Sequence, residues 1–213
     1  MSTSSESNWA AYYTARQGRP PRPLLLNALG RFVDGAQQRR FAIDLGCGEG
    51  TDTRALLQRG WHVLAIDREP EAIARVQTMT PPTLQPQLQT AIAAFEEVTL
   101  PNADLIYAGY SLPFCHPSHF MALWQKIVWA IQPGGRFVGQ IFGDRDEWRT
   151  NQQMTFLTEA AMQALFTGFV LEYVCEIDED GQAFSGPKHW HYFDMIARKE
   201  QLDDALTPLP PLV

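Results

Sequence analysis

The stretch Ala42-Ile43-Asp44-Leu45-Gly46-Cys47-Gly48-Glu49-Gly50 passes from a short apolar segment through one acid into alternating glycines. A brief apolar run bounded by turn residues predicts a strand buried in a sheet. Glycines lack Cβ, so the backbone there turns sharply and comes close to a ligand. Thr51–Arg59 follows with helical spacing and ends at Gly60. The unit is therefore strand, glycine loop, helix. Nucleotide-like cofactors bind at such junctions, where a bare loop meets the free N–H groups of a helix start.

Outward from this unit, strands and helices alternate. His62–Ile66 reads as a strand and Pro70–Gln77 as a helix with proline at its start. Residues 80–87 hold three prolines and read as a loop, followed by a short strand near Leu88. Ala103–Tyr107 is a strand, and His119–Ile131 a helix with Phe120, Leu123, Trp124, Ile127 and Val128 on one side. Pro133-Gly134-Gly135 is a sharp stop before the strand Arg136–Phe142. Thr158 caps a helix running to about Phe166, closed by Gly168. Phe169–Ile177 and His189–Ala197 are two final strands joined through an acidic turn at 178–181. Alternating β and α elements predict an α/β protein, a parallel sheet with helices on both faces. The closing hairpin makes one strand antiparallel.

Upstream, Asn8 caps a short helix with Trp9, Tyr12, Tyr13 and Arg16, broken by Pro20, Pro21 and Pro23. A second helix runs from Leu24 to about Val33. The expected organisation is an N-terminal helical arm or lid (1–35), a catalytic domain (36–199) and a disordered tail (200–213). The Ser-rich first few residues are also expected to be disordered.

At 213 residues the chain is long enough for one domain with a full core. Its net charge of −7 argues against general affinity for nucleic acid. The charge is uneven: residues 1–40 hold six arginines against Glu6 and Asp34, and the remainder holds 11 basic against 22 acidic residues. Two readings of the arm stand, a solvated helix and a cover over an anionic ligand. Cys47, Cys115 and Cys175 form no CxxC pair, which suits a reducing compartment. The start lacks the regions of a signal peptide, and no apolar run approaches membrane-spanning length. A soluble cytoplasmic protein, monomeric or homodimeric, is expected.

The loop reads D-x-G-x-G-x-G, and Asp67 ends the second strand about 20 residues on, where an acid can hold both ribose hydroxyls. Four segments in order resemble the class I S-adenosylmethionine-dependent methyltransferases. They are AIDLGCGEG (42–50), VLAIDRE (63–69), DLIYAGYSLPF (104–114) and IQPGGRFVG (131–139). The resemblance spans roughly residues 8–198. It implies a Rossmann-like three-layer sandwich whose seven-stranded sheet has order 3-2-1-4-5-7-6, with the last strand antiparallel. It implies S-adenosylmethionine as cofactor and S-adenosylhomocysteine as product.

By the same resemblance Gly46, Cys47 and Gly48 lie at the methionine part, and Asp44 holds the methionine end. Asp67 binds the ribose, Arg68 flanks the adenine and Phe95 lies beside it. Ala93-Ala94 stand where many relatives have an acid, so the adenine amine falls to Glu96 or to backbone. Tyr110 sits near the sulfonium or the substrate. The arm resembles that of the small tellurite-resistance-type methyltransferases, with Trp9, Tyr12, Tyr13 and Arg16 closing over the cofactor.

The acceptor side falls to the arm and to Ser111–His119, Gly143–Met154 and Gln182–Trp190. Tyr110, His189 and His191 are candidates for a catalytic or orienting role, and no metal is expected. Scattered aromatics (Trp9, Tyr12, Tyr13, Trp148, Trp190) suggest an enclosed pocket for a small-molecule acceptor, with the arginines leaving room for an anionic one. A nicotinamide-dependent oxidoreductase, a non-catalytic cofactor-binding relative, and a protein or RNA methyltransferase are the alternatives.

Overall fold

The computed structural model describes residues 9–32 and 39–201. The Asn8 cap and the expected disorder in residues 1–7 and 202–213 lie outside the described residues, while the second helix, expected to run to about Val33, ends at Leu29 with Gly30 as its cap. The elements in chain order are α1 (Trp9–Arg16), α2 (Pro23–Leu29), β1 (Phe41–Leu45), α3 (Thr51–Leu57), β2 (His62–Asp67), α4 (Pro70–Met79), β3 (Leu88–Ile92), β4 (Ala103–Ala108), α5 (Pro117–Ala130), β5 (Ile131–Phe142), α6 (Glu159–Leu165), β6 (Phe169–Ala183) and β7 (Gly186–Lys199).

The strands form one sheet of order β3-β2-β1-β4-β5-β7-β6. β1 to β5 pair in parallel, while β7 runs antiparallel to both β5 and β6. The central strands are buried on both faces and read as apolar runs, as parallel sheets require. One face packs against α5 and α6 through Trp124, Phe137 and Phe166. The other packs against α2 and α3 through Leu25, Leu56 and Trp61. These layers leave the carboxyl edge of the parallel strands open, which is where α/β sheets carry their sites.

Two further expectations change. Pro133-Gly134-Gly135 does not precede β5 but lies inside it. Ile131 already pairs with Ala103, and pairing resumes at Arg136 opposite Leu105, with Gly134 left-handed at φ 79 in the displaced segment. Residues 178–181 are strand, not turn. Asp178 pairs with His191 and Asp180 with His189, and the hairpin reverses at Phe184-Ser185. The physical reason is alternation. Glu176, Asp178 and His191 lie on one face, where Arg145 joins both acids, while Ile177, Glu179, Trp190 and Tyr192 lie on the other. At the chain's far end Glu200 still donates its N–H to Gly168 O at 3.0 Å, so ordered backbone continues past Lys199.

Gly50 joins the glycine loop to α3 at φ 83, and a Cβ there would meet Val76 Cγ2 at 2.7 Å. Gly50→Ala is expected to destabilise the protein by about 1–3 kcal/mol. The check is a lower urea midpoint with an unchanged slope.

Candidate active site

β1, β2 and β4 bring Asp44, Asp67 and Tyr107 to one cavity of about 1350 Å³, which also takes in the arm, the loops after β3 and β5, and the β6–β7 hairpin. Of the residues singled out from sequence, Trp9, Tyr13, Arg16, Asp44, Gly46, Cys47, Gly48, Asp67, Arg68, Phe95, Glu96 and Tyr110 all line it. His189 and His191 do not. They point to the opposite face of the hairpin from Trp190 and Tyr192. His191 is fully buried, its Nδ1 accepting the Arg145 N–H at 2.9 Å and its Nε2 facing Glu176 at 3.0 Å. Both nitrogens are committed to the scaffold, so His191 cannot serve as a base in the cavity. His189 lies between Asp178 and Asp180 at 2.7 and 2.8 Å, which hold its pKa above the ordinary imidazole value. Glu176, Asp178 and His191 also converge closely enough to suggest metal ligands, but Arg145 already supplies the cation to both acids.

The glycine loop is held by Gly46 N and Cys47 N, which donate to Ile66 O at 2.8 and 3.0 Å. The space a Gly46 side chain would need is taken by Ser111, whose Cβ lies 2.3 Å from that position. Gly46 therefore makes room for the loop after β4. Gly48 faces the arm instead, with Tyr13 Cε1 3.4 Å from where its Cβ would be.

The acids of this end are more numerous than the motif suggests. Asp67 accepts from Gly48 N at 2.9 Å and Glu69 N at 3.0 Å, and burial raises its pKa. Asp44 is buried, accepts from Thr53 Oγ1 at 2.6 Å, and is pushed up to about 7 by burial and then by the neighbouring Asp52. Glu49 and Asp52, also buried, went unrecognised in the sequence. Arg19 bonds Glu49 at 2.6 Å and Asp52 at 2.7 Å, while Tyr107 Oη and the Arg22 N–H also donate to Asp52. The signal for this pairing was the surplus of arginine in the arm, with no means of choosing the acids it meets.

Tyr110 has the positive φ of 55° that non-glycine residues rarely adopt. Its N–H donates to Gln140 Oε1 at 2.9 Å, and Gln140 Nε2 donates to Asp194 at 2.7 Å. The Arg22 guanidinium sits 4.4 Å above its ring. Burial, followed by the hydrogen bond with Tyr192, raises the Tyr110 pKa, so its hydroxyl stays protonated and acts as a donor. On the arm, Trp9 stacks on Tyr13 and meets Phe114 edge-on, while Tyr12 meets Phe184 of the hairpin. The shielded Trp9 indole N–H and Arg22 Nε have no hydrogen-bond partner among the described residues.

A cofactor with cationic groups and vicinal hydroxyls fits these residues. Buried acids with raised pKa values call for positive charge, and Asp67 at the end of β2 offers paired acceptor oxygens.

A family model described as "Methyltransferase domain" matches residues 42–135. The chain is 29% identical over 106 residues to the carboxy-S-adenosyl-L-methionine synthase of Citrifermentans bemidjiense, covering 47% of this chain and 43% of that protein. It thus spans less than half the length of that curated relative. Among solved structures, TehB from Haemophilus influenzae superposes with TM-score 0.71 at 16% identity, covering 90% of this chain and 67% of that one. Burkholderia thailandensis 1,6-didemethyltoxoflavin-N1-methyltransferase superposes with TM-score 0.62 at 20% identity, covering 90% and 85%. Residues 42–135 thus resemble a methyltransferase domain, and the seven-stranded sheet that contains them has the fold of these solved structures.

Proposed function

We propose that this chain transfers the methyl group of S-adenosylmethionine to a small-molecule acceptor. The supporting observation is the division of one cavity into an acidic end at the glycine loop and an aromatic end at the hairpin. In this reading Asp67 holds the ribose hydroxyls, and Arg68, Phe95 and Glu96 surround the adenine. Asp44, Cys47 and Gly48 hold the methionine end. Trp9, Tyr13 and Arg16 cover the cofactor as a lid, residues 1–35 forming the arm and 36–199 the catalytic domain. Bound S-adenosylmethionine supplies an electrophilic methyl: the S–CH3 electron pair goes to sulfur as the acceptor's lone pair forms the new bond. The protein's own work is alignment and exclusion of water. An acceptor that is already anionic needs no general base. Tyr110, its hydroxyl bonded to Tyr192, orients the acceptor through the placement of its ring.

The test is incubation of the protein with methyl-labelled S-adenosylmethionine and a metabolite extract. Label is expected in the small-molecule fraction. Transfer to no acceptor would leave a cofactor-binding protein without turnover. The likeness to carboxy-S-adenosyl-L-methionine synthases supports a second reading, in which the cofactor itself is modified. A cofactor whose methyl gives up a proton and gains a carboxyl group from a carboxyl donor in the extract, with no S-adenosylhomocysteine formed, would select it.

Asp67→Ala is expected to weaken S-adenosylhomocysteine binding about tenfold to a hundredfold, since hydrogen bonds to a charged group are worth ~1.5–3 kcal/mol. Calorimetry on the variant, with its melting temperature as a check of folding, reads this out. Unchanged affinity would remove Asp67 from the ribose.

Asp44 generates a pH prediction. Its folded-state pKa of about 7 exceeds the ordinary 3.8, so the folded protein keeps a proton that the unfolded chain loses. Its stabilising contribution is therefore full below about pH 4 and is lost as pH rises through about 7. A ligand bearing an ammonium group favours the ionised carboxylate, so binding releases this proton. S-adenosylhomocysteine affinity is expected to rise with pH between about 5 and 7, by at most about tenfold per unit, and to flatten in Asp44→Asn. Calorimetry in buffers of different ionisation enthalpy measures the proton release directly.

A further inference from the structure

The hairpin end of the cavity is walled by Tyr110, Phe142, Trp148, Trp190 and Tyr192. The rings lock one another. Tyr110 and Tyr192 lie 5.3 Å apart, Trp148 and Trp190 5.6 Å, and Phe142 and Trp190 5.8 Å between centroids. Such a surface binds flat molecules by stacking and edge contacts.

Two cations lie against this wall, each paired with a buried carboxylate. Lys188 Nζ lies 3.8 Å from the Trp148 ring centre and 3.9 Å from that of Trp190. The Lys188 side chain is 2% exposed, covered by indoles that themselves face the cavity. Its counter-ion is the fully buried Asp146, which also accepts the N–H groups of Trp148 at 3.0 Å and His191 at 3.1 Å. Asp146 thus ties the loop after β5 to β7 and sets the angle between the two indoles. A buried ion pair adds little stability compared with apolar residues of similar size. Its consequence here is electrostatic. The ammonium already occupies the electron-rich faces of both indoles, so a second cation stacked there would compete with it. From the other side Arg22 lies over Tyr110; its Nε makes no hydrogen bond among the described residues but lies 3.7 Å from the Asp52 carboxylate, with which it is ion-paired. Of the carboxylates near this end, Glu147 and Glu179 are on the exposed rim, Glu147 bonded to the His189 N–H at 2.8 Å, while the half-buried Asp194, near Tyr110 and Tyr192, accepts from Gln140 Nε2.

We propose that this aromatic end is the acceptor subsite and that it takes a planar aromatic or heteroaromatic molecule bearing a negative charge. The inference rests on the methyltransferase reading and adds the acceptor's chemical class. Trp148 and Trp190 sandwich or flank the ring, Arg22 meets the anionic substituent, and Lys188 with Asp146 are positioning residues that act through the indoles. The cationic donor and the anionic acceptor are thereby drawn to opposite ends of one cavity.

The test uses the full chain saturated with S-adenosylhomocysteine and three probes titrated by calorimetry: 2-naphthoate, cyclohexanecarboxylate and N-methylquinolinium. Naphthoate is expected to bind at least about tenfold more tightly than either of the others, as stacking and charge each contribute. Equal binding of cyclohexanecarboxylate would overturn the aromatic assignment, and equal or tighter binding of N-methylquinolinium would overturn the anionic one. These comparisons need no variant. The paired change Lys188→Met with Asp146→Leu removes both charges together, leaving neither buried alone. It is expected to narrow the preference for naphthoate over N-methylquinolinium several-fold while S-adenosylhomocysteine affinity holds. An unchanged ratio would remove Lys188 from the proposal. S-adenosylhomocysteine binding without naphthoate binding would defeat this inference alone. Failure of S-adenosylhomocysteine itself to bind would defeat the methyltransferase reading, and this inference with it.

Discussion

The Asp52 carboxylate is where the arm, the sheet and the glycine loop meet. It lies in the first turn of α3, and it accepts from the Arg19 guanidinium, the Arg22 N–H and Tyr107 Oη of β4. Burying such a charge is costly unless it is paired and hydrogen-bonded on all sides. The surplus positive charge of the arm answers that cost, since Arg19 bridges Asp52 and Glu49 at once. The constraint also runs outward. With Arg19 fixed, Arg22 is brought over Tyr110 and α1 lies across the glycine loop, Tyr13 against Gly48. The roof of the cavity is therefore held by an ion pair at its hinge, with ring contacts between α1, Phe114 and Phe184 closing the rest.

This arrangement separates charge within a single cavity. Asp44 and Asp67 keep their acidic side chains at the end of the parallel strands, where burial raises the pKa of both. The hairpin end answers with aromatic surface and two cations, Arg22 and Lys188. Methyl transfer from a sulfonium needs mainly a fixed approach of donor and acceptor. On the proposed assignment of donor and acceptor, a cavity whose two ends prefer opposite charges supplies part of that alignment before any catalytic group acts. The strained backbone at Tyr110, pinned through Gln140 to Asp194, is one place where the scaffold spends stability on such positioning.

The core of the fold was legible because its signals are local. β1 runs from Phe41 to Leu45 as the apolar run indicates, and Thr158 caps α6 by accepting from Ala161 N. The glycine loop and Asp67 stand at the carboxyl edge of adjacent strands, so their spacing in sequence is also their proximity in space. What escaped was whatever depends on distant partners. Nothing near Asp52 names Arg19, 33 residues earlier, and nothing near Lys188 names Asp146, 42 residues earlier. Gly46 was assigned to the ligand, yet its bare Cα is required by Ser111 from the loop after β4.

The hairpin shows the same limit in sharper form. Asp178, Glu179 and Asp180 look like a turn when counted as a run of acids, but they are strand residues of β6, with Asp178 and Asp180 on the same face as Glu176. Arg145 holds Glu176 and Asp178, and His189 holds Asp178 and Asp180, so the outer face of the hairpin is a charge ladder. That ladder frees the inner face to be apolar, because strand residues alternate between faces and the polar burden is carried on one of them. Ile177, Trp190 and Tyr192 can then project into the cavity from a hairpin long enough to reach the arm at Tyr12. The histidines that looked most reactive in the sequence thus serve the strand pairing, and the aromatic residues between them form the wall a substrate would meet.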